Sequence, residues 1–290
     1  MRAHLLQLDI AWEDPPANVR RIEQLLEGVR TQPGELLLLP EMFNTGFSMR
    51  LEATAPAFGE AEAFLRSLAR ERRCFVVASA AVMGQDGRGR NRALCCGPEG
   101  QPLATYDKVH PFSFGKEPER FSGGDRVVCF DWSAAGQRAT ALRVCPTVCY
   151  DLRFPELFRA GLLLGAACFV VVANWPSPRA AHWRALAVAR AIENQAFVLA
   201  VNRAGSDPHL TYAGGSLAVG PQGEILAEAD EREQVLSVDL DPEAVRTWRN
   251  TFPAWRDAKR GLLPRLDDHG RFDAAPPAFL QDAQQAADGA

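Results

Sequence analysis

Hydrophobic and polar residues alternate along the first ten positions, which predicts a β-strand. Between residues 22 and 29 the apolar positions recur at spacings of three and four, a pattern typical of an amphipathic helix. The next apolar run, at 36–39, is short and continuous, as expected of a strand that is covered on both faces. The chain therefore begins with a strand, a helix and a buried strand.

The same kind of pattern continues to about residue 250 and predicts an α/β protein. Two halves, each with helices and covered strands, predict two sheets with helices outside, a four-layer αββα sandwich. A doubly wound nucleotide-binding fold is the rival, but neither Gly-x-Gly-x-x-Gly after the first strand nor a Gly-Lys-Ser/Thr loop is found. Further helices are predicted at 60–73, 155–165, 178–194 and 241–250, and further strands at 74–82, 91–97, 102–106, 141–148, 168–173, 197–201, 216–219, 225–229 and 235–240.

The remaining segments differ from this pattern. Residues 107–125 are rich in Gly, Pro and Phe without periodicity, which indicates a functional loop. We expect a single domain over residues 1–257 and an extended tail over 258–290, where Pro, Ala, Asp and Gln predominate. In the long helix near residue 190, Trp183 and Ile192 are expected to face the interior.

Charge and hydropathy exclude several classes of protein. With 32 basic and 36 acidic residues and no long basic run, the chain is a poor candidate for binding nucleic acid. Its longest apolar run, at 161–173, is shorter than the roughly 20 residues that a membrane span requires. Gln7 and Asp9 interrupt the first apolar stretch too early for a signal peptide. We therefore expect a cytoplasmic protein that acts on a small molecule, without a membrane partner.

The cysteines do not form a recognisable metal or disulfide pattern. There are seven, an odd number, and no Cys-x-x-Cys pair occurs, so neither a disulfide framework nor a zinc ribbon is predicted. Most are expected to be buried small hydrophobes, Cys145 among them, which leaves room for one reactive thiol. No metal and no cofactor is predicted.

Three polar residues stand next to apolar strands: Glu41, Lys108 and Cys149. Sites of α/β proteins are assembled at strand ends, and a thiol needs a base or a cation nearby to attack a carbonyl group. That base is either a histidine, with His110 and His182 as contenders, or a carboxylate in an apolar setting such as that of Glu41. Lys108 would favour a thiolate and later stabilise an oxyanion.

Three segments around these residues are similar to known signature blocks. Leu-Leu-Pro-Glu at 38–41, Tyr-Asp-Lys-Val-His at 106–110 and Cys-Tyr-Asp-Leu-Arg-Phe-Pro-Glu at 149–156 resemble those of the nitrilase superfamily of carbon–nitrogen hydrolases, in order and spacing. The resemblance implies the αββα sandwich. It also implies a second glutamate in the loop after the lysine block, which matches Glu117, with Glu119 two residues away as the alternative.

The resemblance further implies a Glu-Lys-Cys triad at Glu41, Lys108 and Cys149. Glu41 would take the thiol proton, Cys149 would attack an amide carbon, and Lys108 with the main-chain N–H of Tyr150 would bind the oxyanion. Glu117 would position water or anchor the lysine. This chemistry needs no metal.

Other segments resemble one subgroup, the ω-amidases, which hydrolyse side-chain amides of 2-oxo acids such as 2-oxoglutaramate. The chain departs from that pattern with His-Pro-Phe at 110–112, where Leu often precedes Phe, and with Gly-Gly-Ser at 214–216 in place of a Gly-Asp-Ser type. The matching segments are 173–176, 189–195, 202–203 and 250–256.

The subgroup resemblance points to three side chains around the substrate. Arg153, four residues after the nucleophile, can bind a carboxylate through two hydrogen bonds, and its alternative role is an ion pair with Asp151 or Glu156. Trp175 and Phe47 are expected to form pocket walls, with core packing as the alternative for both.

Two other functions stay open from the sequence. One is an amidase that acts on N-carbamoyl compounds or other small linear amides, and the other is a non-catalytic sandwich domain that binds a ligand in the same cavity. The family resemblance also implies a homodimer formed through the outer helices.

Overall fold

The computed structural model describes residues 1–135 and 140–272, which form strands and helices in alternation. In chain order the strands are β1 Arg2–Gln7, β2 Leu36–Leu38, β3 Phe75–Met83, β4 Gly89–Cys96, β5 Pro102–Asp107, β6 Phe130–Trp132, β7 Leu142–Val148, β8 Cys168–Ala173, β9 Phe197–Asn202, β10 Ala204–Ser206, β11 Thr211–Ala213, β12 Leu217–Val219, β13 Ile225–Glu228 and β14 Gln234–Asp239. The α-helices are α1 Pro15–Glu27, α2 Leu51–Thr54, α3 Phe58–Arg72, α4 Glu117–Arg120, α5 Pro155–Leu163, α6 Ala180–Asn194 and α7 Glu243–Thr251.

The strands form two mixed sheets and a separate hairpin. Over the described residues the first sheet has the order β14-β1-β2-β3-β4-β5 and the second the order β13-β12-β9-β8-β7-β6, while β10 pairs with β11. Strands β1, β2 and β3 are parallel to one another, as are β7, β8 and β9. The predicted α/β sandwich of two sheets flanked by helices is confirmed.

Strand β2 demonstrates how the two sheets and the outer helices share the core. Leu36 and Leu38 belong to the apolar cluster that includes strands β7 and β8 of the second sheet. Leu37 belongs to the cluster that contains α1 and α3 on the outer side of the first sheet. Because successive side chains of a strand point to opposite faces, a continuous apolar run fits a strand with cover on both sides.

The structure differs from the sequence expectations at several places. Strand β6 and the β10–β11 hairpin were not predicted, and the loop at 107–125 contains the short helix α4. Helix α6 begins at Ala180, after a 3-10 turn at Ser177–Arg179, rather than at residue 178. Trp183 is buried as expected, but the expectation for Ile192 is wrong, because its side chain is 51% exposed on the outer surface of α6.

The first part of the predicted tail lies against the domain. The N–H of Val127 donates to the carbonyl of Gly270 at 2.9 Å, and the N–H of Phe272 donates to the carbonyl of Asp125 at 3.0 Å. The domain boundary at residue 257 stays a prediction, and the remainder of the tail, 273–290, lies outside the described residues. In the part of the chain that is described, no helix has the length and apolar character of a membrane span.

Candidate active site

Glu41, Lys108 and Glu117 form a buried ionic cluster where strand ends of the first sheet meet. Nζ of Lys108 donates to Oε1 of Glu41 at 2.9 Å and to Oε2 of Glu117 at 2.8 Å. Lys108 directly follows β5, and Glu41 lies three residues after β2. All three side chains are at most 1% exposed. The structure therefore brings together three of the four predicted catalytic residues.

Glu117 contacts Lys108, whereas Glu119 does not take that place. Glu117 begins α4, and its Oε2 also accepts from the main-chain N–H of Phe112 at 2.6 Å, which fixes the carboxylate toward the interior. Glu119 lies on the outer side of the same short helix and is 65% exposed. The geometry favours Glu117 as the fourth residue of the site.

Cys149 lies on a tight turn directly after β7. Its φ angle is +45°, in the left-handed region, and the chain continues as a 3-10 turn, Cys149–Arg153. A residue with a Cβ atom adopts this region at a cost of about 1–3 kcal/mol, and such strain is found mostly at functional sites. The turn redirects the thiol from the end of the strand toward the cavity.

Asp151 holds this turn through four hydrogen bonds. Its Oδ2 accepts from the main-chain N–H of Val148 at 3.0 Å and from the hydroxyl of Tyr106 at 2.6 Å. Its Oδ1 accepts from the N–H of His110 at 3.0 Å and from Nδ1 of the same residue at 2.9 Å. Tyr106 and His110 flank Lys108 on either side. Asp151 therefore ties the strand end that carries the lysine to the turn that carries the thiol.

The thiol of Cys149 contacts Glu41 and the main-chain N–H of Asn174. Burial, together with the negative charge of Glu41, raises the pKa of the Cys149 thiol well above its ordinary value, although Lys108 opposes this effect. The thiol is therefore protonated at neutral pH. Because Glu41 accepts from it, transfer of the thiol proton to Glu41 would leave the total charge of the site unchanged.

The charged groups of the cluster shift one another's pKa values. Burial alone would lower the pKa of Lys108, but the carboxylates of Glu117 and Glu41 outweigh it, and the pKa is raised. Burial raises the pKa of Glu117, with Lys108 opposing and the negative charge of Glu41 adding to the shift. Two carboxylates share one ammonium group, so a thiolate would add further negative charge to a buried site. A resting thiolate is therefore not favoured.

A cavity of about 420 Å³ opens in front of Cys149, within the range usual for small-molecule sites. Glu41 and Lys108 lie at its inner end beside the thiol. The further lining includes Trp12, Phe47, Met49, Arg50, Phe112, Tyr150, Arg153, Asn174, Trp175, Arg179, Asp207, His209, Leu210 and Tyr212.

The four predicted substrate-binding residues all line this cavity. The ring of Phe47 lies 5.2 Å from Nζ of Lys108. The guanidinium of Arg153 lies 4.7 Å from the ring of Trp175, while Tyr150 packs against the aromatic residues at the entrance. In the described part of the chain, no carboxylate forms an ion pair with Arg153, and the alternative role for this residue is not supported.

Neither predicted histidine serves as a partner of the thiol. His110 is bound to Asp151 and stacks on Phe154 with ring centroids 3.7 Å apart. His182 is exposed, and its Nδ1 lies 3.3 Å from Nη2 of Arg153. The carboxylate alternative, with Glu41 next to Cys149, agrees with the geometry.

Cys129 is a second thiol to consider in labelling experiments. It is half-buried, and a hydrogen bond with Cys145 lowers its pKa. The other cysteines apart from Cys149 are buried, and their pKa values are raised, to about 11 for Cys74 and Cys96. Protection by an active-site ligand is therefore needed to identify Cys149 as the reactive thiol.

Several residues of the site were not predicted from the sequence. Asn91 in β4 donates from Nδ2 to Oε1 of Glu41 at 2.7 Å, and the N–H of Asn174 donates to Oε2 of the same residue at 2.9 Å. The tip of the β10–β11 hairpin forms a further wall through His209 and Leu210. Asn174 could have been predicted, because it is a polar residue directly after strand β8. The sequence of the hairpin contains no comparable feature that would mark it as part of the site.

No group of three or more His, Cys, Asp or Glu side chains suited to a metal ion occurs in the ranges 1–135 and 140–272. Glu41, Lys108, Glu117 and Asn91 are instead connected to one another by hydrogen bonds. What the arrangement offers is a nucleophile, a base in contact with it, and a cation beside both.

Comparison with known proteins finds similar amidases. The omega-amidase YafV of Escherichia coli is 38% identical over 260 residues, which are 89% of this chain and 96% of that protein. The 2-oxoglutaramate amidase of Bacillus subtilis is 32% identical over 89% of this chain and 97% of that protein. The predicted resemblance to the ω-amidase subgroup is confirmed.

Solved structures lead to the same family. XC1258 from Xanthomonas campestris, a CN-hydrolase superfamily protein with an arsenic adduct in its active site, superposes with a TM-score of 0.83 at 34% identity. The alignment covers 91% of this chain and 98% of that chain. The family model for carbon–nitrogen hydrolases matches residues 2–250. The chain belongs to the carbon–nitrogen hydrolase family.

Proposed function

We propose that the protein is a thiol amidase that hydrolyses the side-chain amide of 2-oxo dicarboxylic acid monoamides such as 2-oxoglutaramate and 2-oxosuccinamate. The observation that carries the proposal is the contact of Cys149 with Glu41 beside Lys108, at the inner end of a cavity that also holds Arg153. Relatives named omega-amidase and 2-oxoglutaramate amidase support the substrate class.

In the first half of the reaction, Cys149 forms a thioester with the acyl group. Glu41 takes the thiol proton while the sulfur attacks the amide carbon. The ammonium of Lys108 and the main-chain N–H of Tyr150 stabilise the oxyanion of the tetrahedral intermediate. Glu41 then gives its proton to the departing nitrogen, which leaves as ammonia.

In the second half, water hydrolyses the thioester. Glu41 takes a proton from the attacking water, and the intermediate expels the sulfur of Cys149, which recovers its proton from Glu41. Glu117 holds Lys108 in place, because its Oε2 accepts from Nζ and from the N–H of Phe112 together. The product is the 2-oxo dicarboxylate.

Release of ammonia from a panel of amides tests the function. We expect 2-oxoglutaramate and 2-oxosuccinamate to be hydrolysed faster than glutamine, an N-carbamoyl amino acid or an uncharged amide of similar length. The Cys149→Ala variant is the control for enzymatic release. Faster release from the N-carbamoyl compound would instead identify an N-carbamoyl amidase, and release from none of them would favour a ligand-binding domain.

Arg153→Lys tests how the substrate carboxylate is bound. Lysine keeps the charge but loses the planar pair of donors, so we expect KM for 2-oxoglutaramate to rise about tenfold or more. Hydrolysis of an uncharged ester by the same thiol should change much less. Steady-state kinetics on both compounds measures this difference. Equal losses on the two substrates would indicate a distorted turn around Cys149 and would contradict carboxylate binding by Arg153.

We also propose that two copies of the chain form a homodimer through the outer helices. The exposed apolar side chains of Ile192, Phe252 and Leu262 border two adjoining surface depressions, which share Arg159, Glu193 and Ala258. Apolar surface of this kind is typical of a subunit contact.

A cytoplasmic location stays a prediction.

Light scattering of the purified protein at micromolar concentration tests the dimer. We expect a mass of about twice the 31.7 kDa of one chain. Phe252→Glu places a charge in the apolar patch and should shift the mass toward that of one chain, whereas the same change at the exposed Phe114, which packs against Phe112, should not. A wild-type mass near that of one chain would contradict the proposal.

A further inference from the structure

Two of the three arginines that line the cavity have no carboxylate partner in the described part of the chain. Arg50 pairs with Glu13 at 2.8 Å. Arg153 and Arg179 also line the cavity, and neither forms an ion pair with a described carboxylate. Both side chains are half-buried. A half-buried guanidinium without an anion indicates that the partner is supplied by a ligand.

The two guanidinium groups are held on one aromatic wall of the cavity. Arg153 lies over the ring of Trp175 at 4.7 Å, and Arg179 lies over the ring of Phe112 at 5.4 Å. The indole N–H of Trp175 donates to the carbonyl of Arg179 at 2.8 Å, which fixes the two residues relative to each other. The rings of Phe112 and Tyr150 are 4.9 Å apart and continue the wall toward the turn of the nucleophile. Ring faces hold the planar groups. One N–H group of Arg153 meets Nδ1 of His182, and in the described part of the chain its other N–H groups and those of Arg179 remain available to a ligand.

The number of acceptors on a 2-oxo acid explains why two such groups are present. A 2-oxo carboxylate carries three oxygens on adjacent carbons, and a single guanidinium satisfies the two carboxylate oxygens through a pair of parallel hydrogen bonds. The oxo oxygen then requires another donor when it is removed from water. Arg179 is the remaining cationic side chain of the described wall that is not already paired.

We propose that Arg179 is a specificity-determining residue that binds the 2-oxo oxygen of the substrate, while Arg153 binds the adjacent carboxylate. This inference rests on the proposed function and adds a distinction within it. An acid monoamide without the oxo group keeps its pairing with Arg153 but leaves Arg179 unpaired. The enzyme therefore prefers 2-oxo acid amides to the corresponding simple acid amides.

The kinetic test compares the monoamides of 2-oxoglutarate and glutarate, which differ only in the oxo oxygen. In Arg179→Met we expect kcat/KM for the 2-oxo compound to fall about 10- to 100-fold, the effect of one charge-assisted hydrogen bond. The value for the glutarate monoamide should change by less than about threefold. Arg184→Met is the matched control, because Arg184 lies on α6, pairs with Glu228 and does not line the cavity. Equal losses on both monoamides would overturn the assignment.

A second measurement does not depend on turnover and separates this inference from the proposed function. Alkylation of Cys149 by iodoacetamide is followed by peptide mapping in the presence of 2-oxoglutarate or glutarate. Both acids place a carboxylate near Glu41, so the repulsion between that carboxylate and Glu41 affects the two acids equally. We expect 2-oxoglutarate to protect at lower concentration in the wild type and the two acids to protect equally in Arg179→Met. If the variant keeps the wild-type ratio, Arg179 does not bind the oxo group, whether or not 2-oxoglutaramate is the substrate.

Discussion

Replacing Glu41 by glutamine is expected to lower kcat for amide hydrolysis by about 100- to 10,000-fold, the usual contribution of a general acid–base group. A glutamine cannot take the thiol proton of Cys149, and that thiol is protonated at neutral pH because its pKa is raised. The same residue must also protonate the departing nitrogen and later take a proton from the attacking water, so both halves of the reaction lose their proton carrier. Ammonia release under substrate saturation measures the loss.

Glu119→Gln is the matched control for this variant. Glu119 is an exposed glutamate beside the site, and it is the alternative that the sequence left open for the fourth residue. Its replacement should leave kcat unchanged. Glu41→Gln should stay folded, because the side chain keeps its shape. The amide oxygen can still accept from Asn91 and Lys108, whereas the amide NH2 then faces the main-chain N–H of Asn174 and that hydrogen bond is lost. If the folded Glu41→Gln protein kept more than about a tenth of the wild-type rate, Glu41 would not be the base.

The strands and helices of the central layers could be predicted because each has a local pattern. Strand β2 is a short run of leucines, and the structure covers both of its faces. Strand β6 and the two strands of the β10–β11 hairpin also have three residues each, but none of them is a continuous apolar run like that of β2. Ile192 was misplaced for a different reason. A helix has one buried face in a single chain, but an apolar residue on the other face suits a subunit contact equally well.

The candidate site could be predicted only in part. Cys149 is marked by its place after an apolar strand, and its turn has the strained φ angle that such places often contain. Asp151 gives no comparable signal, because Tyr106 and His110 lie far from it in the sequence and its third partner, Val148, is bound through a main-chain N–H. Arg179 was likewise unremarkable until the fold placed it on the wall beside Arg153. Residues that act through long-range contacts become visible only when the fold is known.

Replacing Lys108 by methionine is expected to lower kcat by about 100- to 1,000-fold, because the oxyanion loses its cationic donor. The variant should also be less stable, since Glu41 and Glu117 then face each other in a buried site without the ammonium between them. Removal of one partner from a buried ion pair typically costs about 3–5 kcal/mol. The free energy of unfolding, measured by denaturant titration, tests this part. Lys116→Met, at an exposed lysine of the same segment, is the control.

The pH dependence of this variant has a definite sign. Lys108 lowers the pKa of Glu117 in the wild type, so its removal raises that pKa further above the unfolded value. The folded variant then binds a proton more tightly than the unfolded chain does. Its stability deficit should therefore be smallest at pH values below the unfolded pKa of about 4.3 and should grow as the pH rises through the folded pKa.

A second substitution separates stability from catalysis at this position. Adding Glu117→Gln to Lys108→Met removes one of the two unpaired carboxylates, so most of the lost stability should return near neutral pH. Turnover should not return, because the oxyanion still lacks its cation. If the double variant recovered activity together with stability, the lysine would serve only to hold the two glutamates. If it recovered neither, repulsion between the carboxylates would not be the cause of the instability.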